Sequence, residues 1–122
     1  MRPPSLQFFL LFLNHIILKI GTESVMEKTW RWFGPNDKIT LDMLRQIGVE
    51  GIVTALHHIP NGEVWPLEEV EKMKALIESK GMRWSVVESL PVSESIKYAG
   101  PDRDALIERY KESLANLGKA GV

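Results

Sequence analysis

Apolar residues recur at intervals of three and four in three stretches of the chain, which is the pattern of an amphipathic α-helix. The first stretch runs from Leu41 to Ile47, with Leu44 on the same face. Thr40 precedes it and is a good N-cap residue, and Gly48 follows it as a helix terminator. The pattern therefore predicts a short helix that buries one face.

The second and third helical stretches are longer than the first. The second begins at Pro66, whose missing N–H suits the first turn of a helix, and ends at Gly81. The third runs from residue 103 to residue 120, with Gly118 and Gly121 as C-cap candidates. The apolar residues predicted to be buried are Val70, Met73, Leu76 and Ile77 in the second helix and Leu106, Ile107, Tyr110, Leu114 and Leu117 in the third.

Runs of apolar and β-branched residues alternate with these helices and predict three short strands. The first run, Thr29 to Phe33, is aromatic and is closed by the turn residues Gly34-Pro-Asn-Asp37. The other two are Gly51 to Leu56, which is nearly continuous in apolar residues, and Met82 to Val87. Successive strands joined by helices form a parallel sheet with right-handed crossovers. We therefore expect three βα units.

Two α/β folds begin with such units, the doubly wound sheet and the TIM (β/α)₈ barrel. A doubly wound sheet normally carries a glycine-rich phosphate loop after an early strand. Neither the loop that begins at Gly34 nor the loop His57-His-Ile-Pro-Asn-Gly62 has that spacing. We therefore predict the N-terminal part of a TIM barrel, truncated after three βα units. A whole barrel usually needs about 250 residues, so this part would leave a strand edge and apolar helix faces uncovered.

Residues 1–25 differ from the rest of the chain because they carry a strongly apolar run from Leu6 to Ile20. The run resembles the hydrophobic region of a secretory signal, but no small-residue cleavage site follows it. It is shorter than the roughly 20 apolar residues that span a bilayer, and Asn14 and Lys19 interrupt it. We favour a third interpretation, in which Met26 is the natural start and residues 1–25 are upstream sequence read through from an earlier start codon. The chain then divides into an apolar leader, 1–25, and a barrel portion, 26–122.

Composition narrows the class of protein further. The 122 residues are 44% hydrophobic and 25% charged, and 15 Lys+Arg against 16 Asp+Glu give a formal net charge of -1. This is typical of an ordinary soluble domain and lacks the basic surface of a nucleic-acid-binding protein. Without cysteine the chain forms no disulfide and has no thiolate metal ligand or cysteine nucleophile, which fits a reducing compartment. We therefore expect a cytoplasmic protein.

Polar side chains cluster where the predicted strands end. In a TIM barrel the reactive groups come from the carboxyl ends of the strands and from the loops that follow them. Loops of this kind are polar in many proteins, so the clustering alone favours a function only modestly. The candidate substrate-binding residues are Arg31, Asn36 and Asp37 after the first strand, His57, His58 and Asn61 after the second, and Glu88 and Ser89 after the third.

The pair His57-His58 is the most distinctive of these features, because imidazole titrates near neutral pH and also binds metals. Adjacent residues at the end of a strand point to opposite faces, so metal binding by both histidines is not expected. We expect a structural role for at least one of them. The other is a catalytic candidate that hydrogen-bonds a sugar hydroxyl or polarises a reacting group.

Arg31 lies between Trp30 and Trp32, and alternation turns it towards the barrel interior if the tryptophans face the helices. There its guanidinium can bind a carboxylate through two hydrogen bonds. The alternative is a structural ion pair with an acid such as Glu88, and both interpretations stay open.

Three segments resemble the mannonate dehydratase family of bacteria. They are Met26-Glu-Lys-Thr-Trp-Arg-Trp-Phe-Gly-Pro-Asn-Asp37, Gly51-Ile-Val-Thr-Ala-Leu-His-His-Ile-Pro-Asn-Gly-Glu-Val-Trp65 and Trp84-Ser-Val-Val-Glu-Ser89. The resemblance extends over Met26 to Val122, and residues 1–25 have no counterpart in it. The string His-His-Ile-Pro-Asn-Gly-Glu-Val-Trp makes it specific.

The resemblance implies a TIM barrel similar to that of xylose isomerase. It also implies a hydro-lyase that converts D-mannonate to 2-dehydro-3-deoxy-D-gluconate and water in glucuronate (hexuronate) catabolism. The implied cofactor is ferrous iron (Fe2+) or manganese (Mn2+), held by histidine, cysteine and aspartate side chains of later strands. No metal ligand is therefore carried over onto this chain. The rim of eight candidate residues named above carries over as a group, without individual roles.

Two other functions stay open alongside the dehydratase. One is a sugar isomerase of the xylose isomerase-like superfamily, and the other is a non-catalytic truncated product. We expect the 122-residue chain alone to be inactive and poorly soluble, because it lacks the metal ligands and leaves a strand edge open. The expected partner is the sugar acid D-mannonate. Neither nucleic acid nor a membrane is expected as a partner, and a homo-oligomer of the full-length enzyme stays open.

Overall fold

The computed structural model describes residues 26–122, so the predictions for the leader lie outside the described residues. In chain order the elements are β1 (Thr29–Arg31), α1 (Leu41–Gln46), β2 (Gly51–Thr54), α2 (Leu67–Ser79), β3 (Arg83–Val87), α3 (Glu94–Lys97) and α4 (Arg103–Ala120). The three predicted strands and the helices that follow them are present in the predicted order.

The strands of residues 26–122 form one parallel sheet in the order β1-β2-β3. β1 pairs with β2 from Thr29 opposite Gly51 to Arg31 opposite Val53. β3 pairs with the other edge of β2, and its register shifts by one residue along the way. Ile52 lies opposite Trp84, whereas the next residue, Val53, lies opposite Val86.

The helices cover one face of this sheet. Ile52 and Thr54 of β2 are fully buried on that face, and α2 contacts both β3 and α4. We call the opposite face, which presents Arg31, Val53 and Val86, the open face. A single hydrophobic core results, made of Trp32, Leu41, Leu44, Val49, Ile52, Ala55, Leu56, Trp65, Val70, Met73, Ile77, Met82, Trp84 and Leu117.

Two of the strands end earlier than the sequence predicts. β1 ends at Arg31 and β2 at Thr54, because the chain leaves the sheet at these points. Trp32 is still tied to β2, since its backbone N–H donates to the carbonyl oxygen of Val53 at 2.9 Å. Ala55 and Leu56 stay in the core although they lie beyond the strand. The apolar pattern therefore predicted the buried residues correctly but overestimated the lengths of the strands.

Three residues that were predicted to be buried are substantially exposed, namely Ile47 at 64%, Leu114 at 49% and Leu76 at 36%. α1 ends at Gln46, so Ile47 lies at the C-cap, beyond the last turn. Leu76 and Leu114 lie at the edges of the apolar faces of their helices, and these edges are only partly covered by neighbouring elements. Periodicity predicted the helices correctly but placed the edges of their buried faces wrongly.

α4 packs through a more polar face than its apolar stripe suggests. Ser113 and Asn116 are buried, and both bind the backbone of Trp65. The N–H of Trp65 donates to Ser113 Oγ at 2.9 Å, and Asn116 Nδ2 donates to the Trp65 carbonyl at 2.9 Å. Gly121, at φ +72°, is the left-handed C-cap, whereas the other candidate, Gly118, lies inside the helix. These bonds fix α4 against the segment that leads into α2.

α3 is a helix of four residues that the sequence analysis did not predict. It is too short to show a helical period. Within residues 26–122, no helix is both long enough and apolar enough to cross a membrane.

Candidate functional site

Arg31 and Glu88 meet at the carboxyl end of the sheet, on the open face. Arg31 is the last residue of β1, and Glu88 directly follows β3. Arg31 Nε donates to Glu88 Oε2 at 2.6 Å, although the two residues are 57 positions apart in sequence. The Arg31 side chain is 55% exposed and that of Glu88 is 26% exposed. The pair therefore bridges the two outer strands of the described sheet across the end of β2.

Phe33 joins this ion pair to the loop after β2. The guanidinium carbon of Arg31 lies 4.5 Å from the centroid of the Phe33 ring, within the range of a cation–π contact. The Phe33 ring lies against His57, with centroids 6.0 Å apart and planes inclined by 40°. Glu88, Arg31, Phe33 and His57 thus form a continuous series of contacts over all three strand ends. We call these four residues the rim cluster.

Phe33 is not among the site residues that are predicted from the sequence. The signal that identifies it is the alternation along β1 and its continuation. Residues 31 and 33 share one face, while Trp32 points into the core and is buried. An aromatic residue two positions after an arginine on the open face is placed to support the guanidinium.

The two adjacent histidines contact different partners. His57 contacts Phe33, whereas His58 Nε2 lies 3.1 Å from Glu69 Oε2 on α2. Glu69 is also bound by Lys72, whose Nζ donates to Glu69 Oε1 at 2.8 Å. Lys72 and, secondarily, His58 lower the pKa of Glu69, and the carboxylates of Glu69 and Glu68 raise the pKa of Lys72 to about 12. His58 therefore belongs to an ion-pair network on the helix, and only His57 belongs to the rim cluster.

Asp37 organises the loop after β1. Its two carboxylate oxygens accept hydrogen bonds from the backbone N–H groups of Phe33 at 2.9 Å and Ile39 at 3.0 Å. These bonds, that from Ile39 most of all, lower the pKa of Asp37. The carboxylate thus shapes the turn that carries Phe33. Direct contact of Asp37 with a substrate stays a prediction.

A cavity of about 250 Å³ opens beside the rim cluster, between the loops after β1 and β2. Asn36, His57 and His58 contribute its polar lining, and Phe33 and Met73 contribute apolar surface. Asn36 therefore lies near both histidines.

Asn61 and Ser89 are not members of the rim cluster. Asn61 is an exposed residue of the turn that follows His58, and it makes no hydrogen bond within the described part of the chain. Ser89 has a left-handed backbone at φ 54°, which is uncommon for a residue with a side chain. It borders a groove of about 670 Å³ between β3 and α4, together with Tyr110 and Leu117. The structure therefore brings some of the eight candidates together and leaves these two in separate places.

Within residues 26–122, no three histidine, aspartate or glutamate side chains come together in an arrangement that fits a metal ion. Iron or manganese, the cofactors that the family resemblance implies, therefore have no ligand set among the described residues. The groups available at the rim are a guanidinium, an imidazole, a carboxylate and an aromatic ring. They are suited to binding and orienting an anionic, hydroxylated molecule.

Residues 26–122 are similar to known proteins. A family model described as D-mannonate dehydratase (UxuA) matches residues 26–122. The curated mannonate dehydratases of Chromohalobacter salexigens and of Marinomonas sp. (strain MWYL1) are 57% and 56% identical to this chain over 97 residues, covering 80% of this chain and 25% of each relative. The chain thus spans about a quarter of the length of these relatives.

A solved structure gives the same result at the level of the fold. The crystal structure of mannonate dehydratase from Streptococcus suis serotype 2 matches with a TM-score of 0.77 at 46% sequence identity. The match covers 80% of this chain and 28% of that chain. An α/β arrangement with a small parallel sheet is therefore shared with that enzyme. From the family match over residues 26–122, the chain belongs to the D-mannonate dehydratase family.

Proposed function

We propose that the whole protein to which residues 26–122 belong is a mannonate dehydratase, a hydro-lyase that converts D-mannonate to 2-dehydro-3-deoxy-D-gluconate and water in glucuronate catabolism. The observation that carries this proposal is the match of all 97 residues to the family model and to relatives named for that activity. The rim cluster supports it, because its guanidinium and imidazole suit a substrate that has a carboxylate and several hydroxyl groups.

The proposed fold of the whole protein is a TIM barrel. The support is the parallel order β1-β2-β3, the helix after each strand, and the location of the helices on one face. In a barrel the open face lines the interior, and the carboxyl ends of the strands form the mouth. The rim cluster would then lie at that mouth, where TIM-barrel enzymes carry their active sites.

The reaction divides into requirements that the described residues meet only in part. Removal of water beside a carboxylate needs a base for the proton on the adjacent carbon, an acid for the leaving hydroxyl, and positive charge for the developing enolate. Arg31 is proposed to bind the carboxylate, and His57 to donate a hydrogen bond to a substrate hydroxyl. Iron or manganese would supply Lewis-acid charge through ligands from outside residues 26–122. The roles proposed here are therefore binding and orientation.

The proposed setting is the cytoplasm, with D-mannonate as the partner and with neither nucleic acid nor a membrane involved. The absence of cysteine from the 122 residues and their net charge of -1 support this.

The test is a chimera in which residues 26–122 replace the matching 97 residues of a curated relative, so that the rest of the protein is supplied. Incubated with D-mannonate and Mn2+, the folded chimera should form a 2-keto-3-deoxy acid. Formation of an isomeric sugar acid without loss of water would favour the sugar isomerase instead. A folded, metal-loaded chimera that forms no product, beside an active unmodified relative, would count against the proposal.

A further inference from the structure

The guanidinium of Arg31 uses only part of its hydrogen-bonding capacity in this structure. Its Nε donates to Glu88 Oε2, while neither of its two Nη atoms makes a hydrogen bond within residues 26–122. A guanidinium can present two parallel N–H donors from its Nη atoms to one carboxylate. The edge that remains open is therefore the one that can bind an anion in a fork.

Two contacts fix the direction of that open edge. Glu88 holds the Nε side of the guanidinium at 2.6 Å, and the Phe33 ring lies 4.5 Å from its central carbon. The bond to Glu88 limits movement of the guanidinium within its own plane, and the Phe33 ring limits its tilting out of that plane. Phe33 is in turn held by its backbone bond to Asp37. An exposed arginine would otherwise sample many rotamers and lose that freedom on binding a ligand.

We propose that Glu88 and Phe33 are positioning residues that hold Arg31 with its Nη edge directed at the carboxylate of a sugar acid. The inference rests on the proposed function for the identity of the ligand. It resolves the two interpretations of Arg31, since the ion pair with Glu88 and carboxylate binding use different edges of the same guanidinium. Glu88 acts here through Arg31 and exchanges no proton with the substrate.

The proposal distinguishes the hydrogen bond that Glu88 accepts from the charge that it carries. Glu88→Gln keeps an oxygen that can accept from Arg31 Nε, whereas Glu88→Met keeps a similar length but removes the acceptor. Phe33→Leu keeps apolar volume but removes the aromatic face. Glu27→Gln, at the opposite end of the strands, is the matched control for loss of a paired glutamate.

The experiment measures, in the chimera and its four variants, the dissociation constants of D-mannonate and of mannitol, which lacks the carboxylate. It also measures kcat and KM for D-mannonate. Thermal unfolding confirms that each variant is folded. We expect Glu88→Met and Phe33→Leu to weaken mannonate binding by about tenfold and about threefold with little effect on mannitol. Glu88→Gln, which keeps an acceptor oxygen, should weaken mannonate binding less than Glu88→Met does, and Glu27→Gln should stay within about twofold of the parent.

The outcomes separate the inference from the proposed function. Unchanged mannonate binding in both Glu88→Met and Phe33→Leu would overturn the inference. So would a hundredfold loss of kcat in Glu88→Gln with unchanged binding, because that result identifies a proton-transfer group. A parent chimera that binds mannonate but does not dehydrate it would contradict the proposed function and leave the positioning role supported by the binding data. A parent that does not prefer mannonate to mannitol would contradict both.

Discussion

Two ion pairs span the described sheet from the β1 side to β3, one at each end of the strands. They differ in the number of hydrogen bonds that they contain. At the amino end, Arg83 Nε and Nη2 donate to the two carboxylate oxygens of Glu27 at 2.5 and 2.6 Å. At the carboxyl end, Arg31 gives Glu88 a single bond through Nε. The amino-end pair binds both carboxylate oxygens of its glutamate, whereas the carboxyl-end pair binds one oxygen through one donor.

The two ion pairs also differ in the space around them. Gly51 of β2 lies under the Glu27 side chain, and a Cβ at this position would come within 2.7 Å of Glu27 Oε1. The close approach of strand and side chain leaves little room for a ligand. The cavity between the loops after β1 and β2 borders the rim cluster instead. The same pairing chemistry therefore gives a two-bond ion pair at the amino end and a one-bond ion pair beside a cavity at the carboxyl end. In the proposed barrel these would be the stable and the reactive ends.

The sharpest test of this contrast exchanges each arginine for lysine in the chimera. Lysine keeps the charge but cannot reproduce the planar fork. Arg31→Lys should lower kcat/KM for D-mannonate by ten- to a hundredfold, about 1.5 to 3 kcal/mol for a charged hydrogen bond, and leave stability nearly unchanged. Arg83→Lys should instead lower the melting temperature and leave kcat/KM within about twofold. Equal kinetic losses in both variants would show that the two pairs do not differ in role.

The adjacent histidines give a second, smaller contrast within one loop. His57 lies in the rim cluster, whereas His58 is paired with Glu69 on α2. His57→Ala should reduce kcat/KM for D-mannonate by about tenfold, since it removes the hydrogen bond that we propose His57 donates to the substrate. His58→Ala should change it by less than about twofold, because an exposed ion pair contributes little. The reverse order of effects would place the functional imidazole on the helix side.

The smallest expected effect is a pH dependence of stability at the amino-end pair. The hydrogen bonds from Arg83 hold the pKa of Glu27 below its usual value of 4.5. Because the folded-state pKa is lowered, the stabilisation is complete above the unfolded-state pKa and is lost as the pH falls through the folded-state value. Between about pH 5 and about pH 3, the melting temperature of the chimera should fall more steeply than that of Glu27→Gln, by roughly one to three degrees.

The control for this measurement is Glu94→Gln, which removes an exposed helical carboxylate paired with Lys97. Its pH profile should run parallel to that of the parent. Asp37 and Glu69, whose pKa values are also lowered, remain in both variants and keep part of the acid sensitivity. A Glu27→Gln profile parallel to that of the parent would show that the amino-end pair adds no pH-dependent stability.

The predictability of the fold varied with the length of the pattern. α4 was predicted with both ends correct because five apolar residues recur over 18 positions. α3, with four residues, has no period to detect. The buried Asn116 donates a hydrogen bond to the carbonyl oxygen of Trp65, 51 positions away in sequence. A one-dimensional pattern does not contain that contact.

The candidate site shows the same limit. The sequence placed Arg31, His57 and Glu88 at strand ends, and all three are members of the rim cluster. It left the choice between an ion pair and a carboxylate site at Arg31 open, because that choice depends on which edge of the guanidinium is occupied. It also missed Phe33, because Phe33 has no polar side chain and contributes through a cation–π contact with the Arg31 guanidinium.

The register shift in β3 decides which side of the sheet Glu88 faces. If the side chains of β3 alternated without interruption, residues 84, 86 and 88 would point to the same face. Glu88 would then face the helix-covered core, as Trp84 does. Because Val86, not Ser85, lies opposite Val53, β3 contains one extra residue at this point. The residues after it point to the opposite face from the one that regular alternation would give. Val86 and Glu88 then share the side of Arg31, while Val87 packs against the core. One extra residue in a five-residue strand thus turns a carboxylate away from the apolar interior and towards the arginine that it holds.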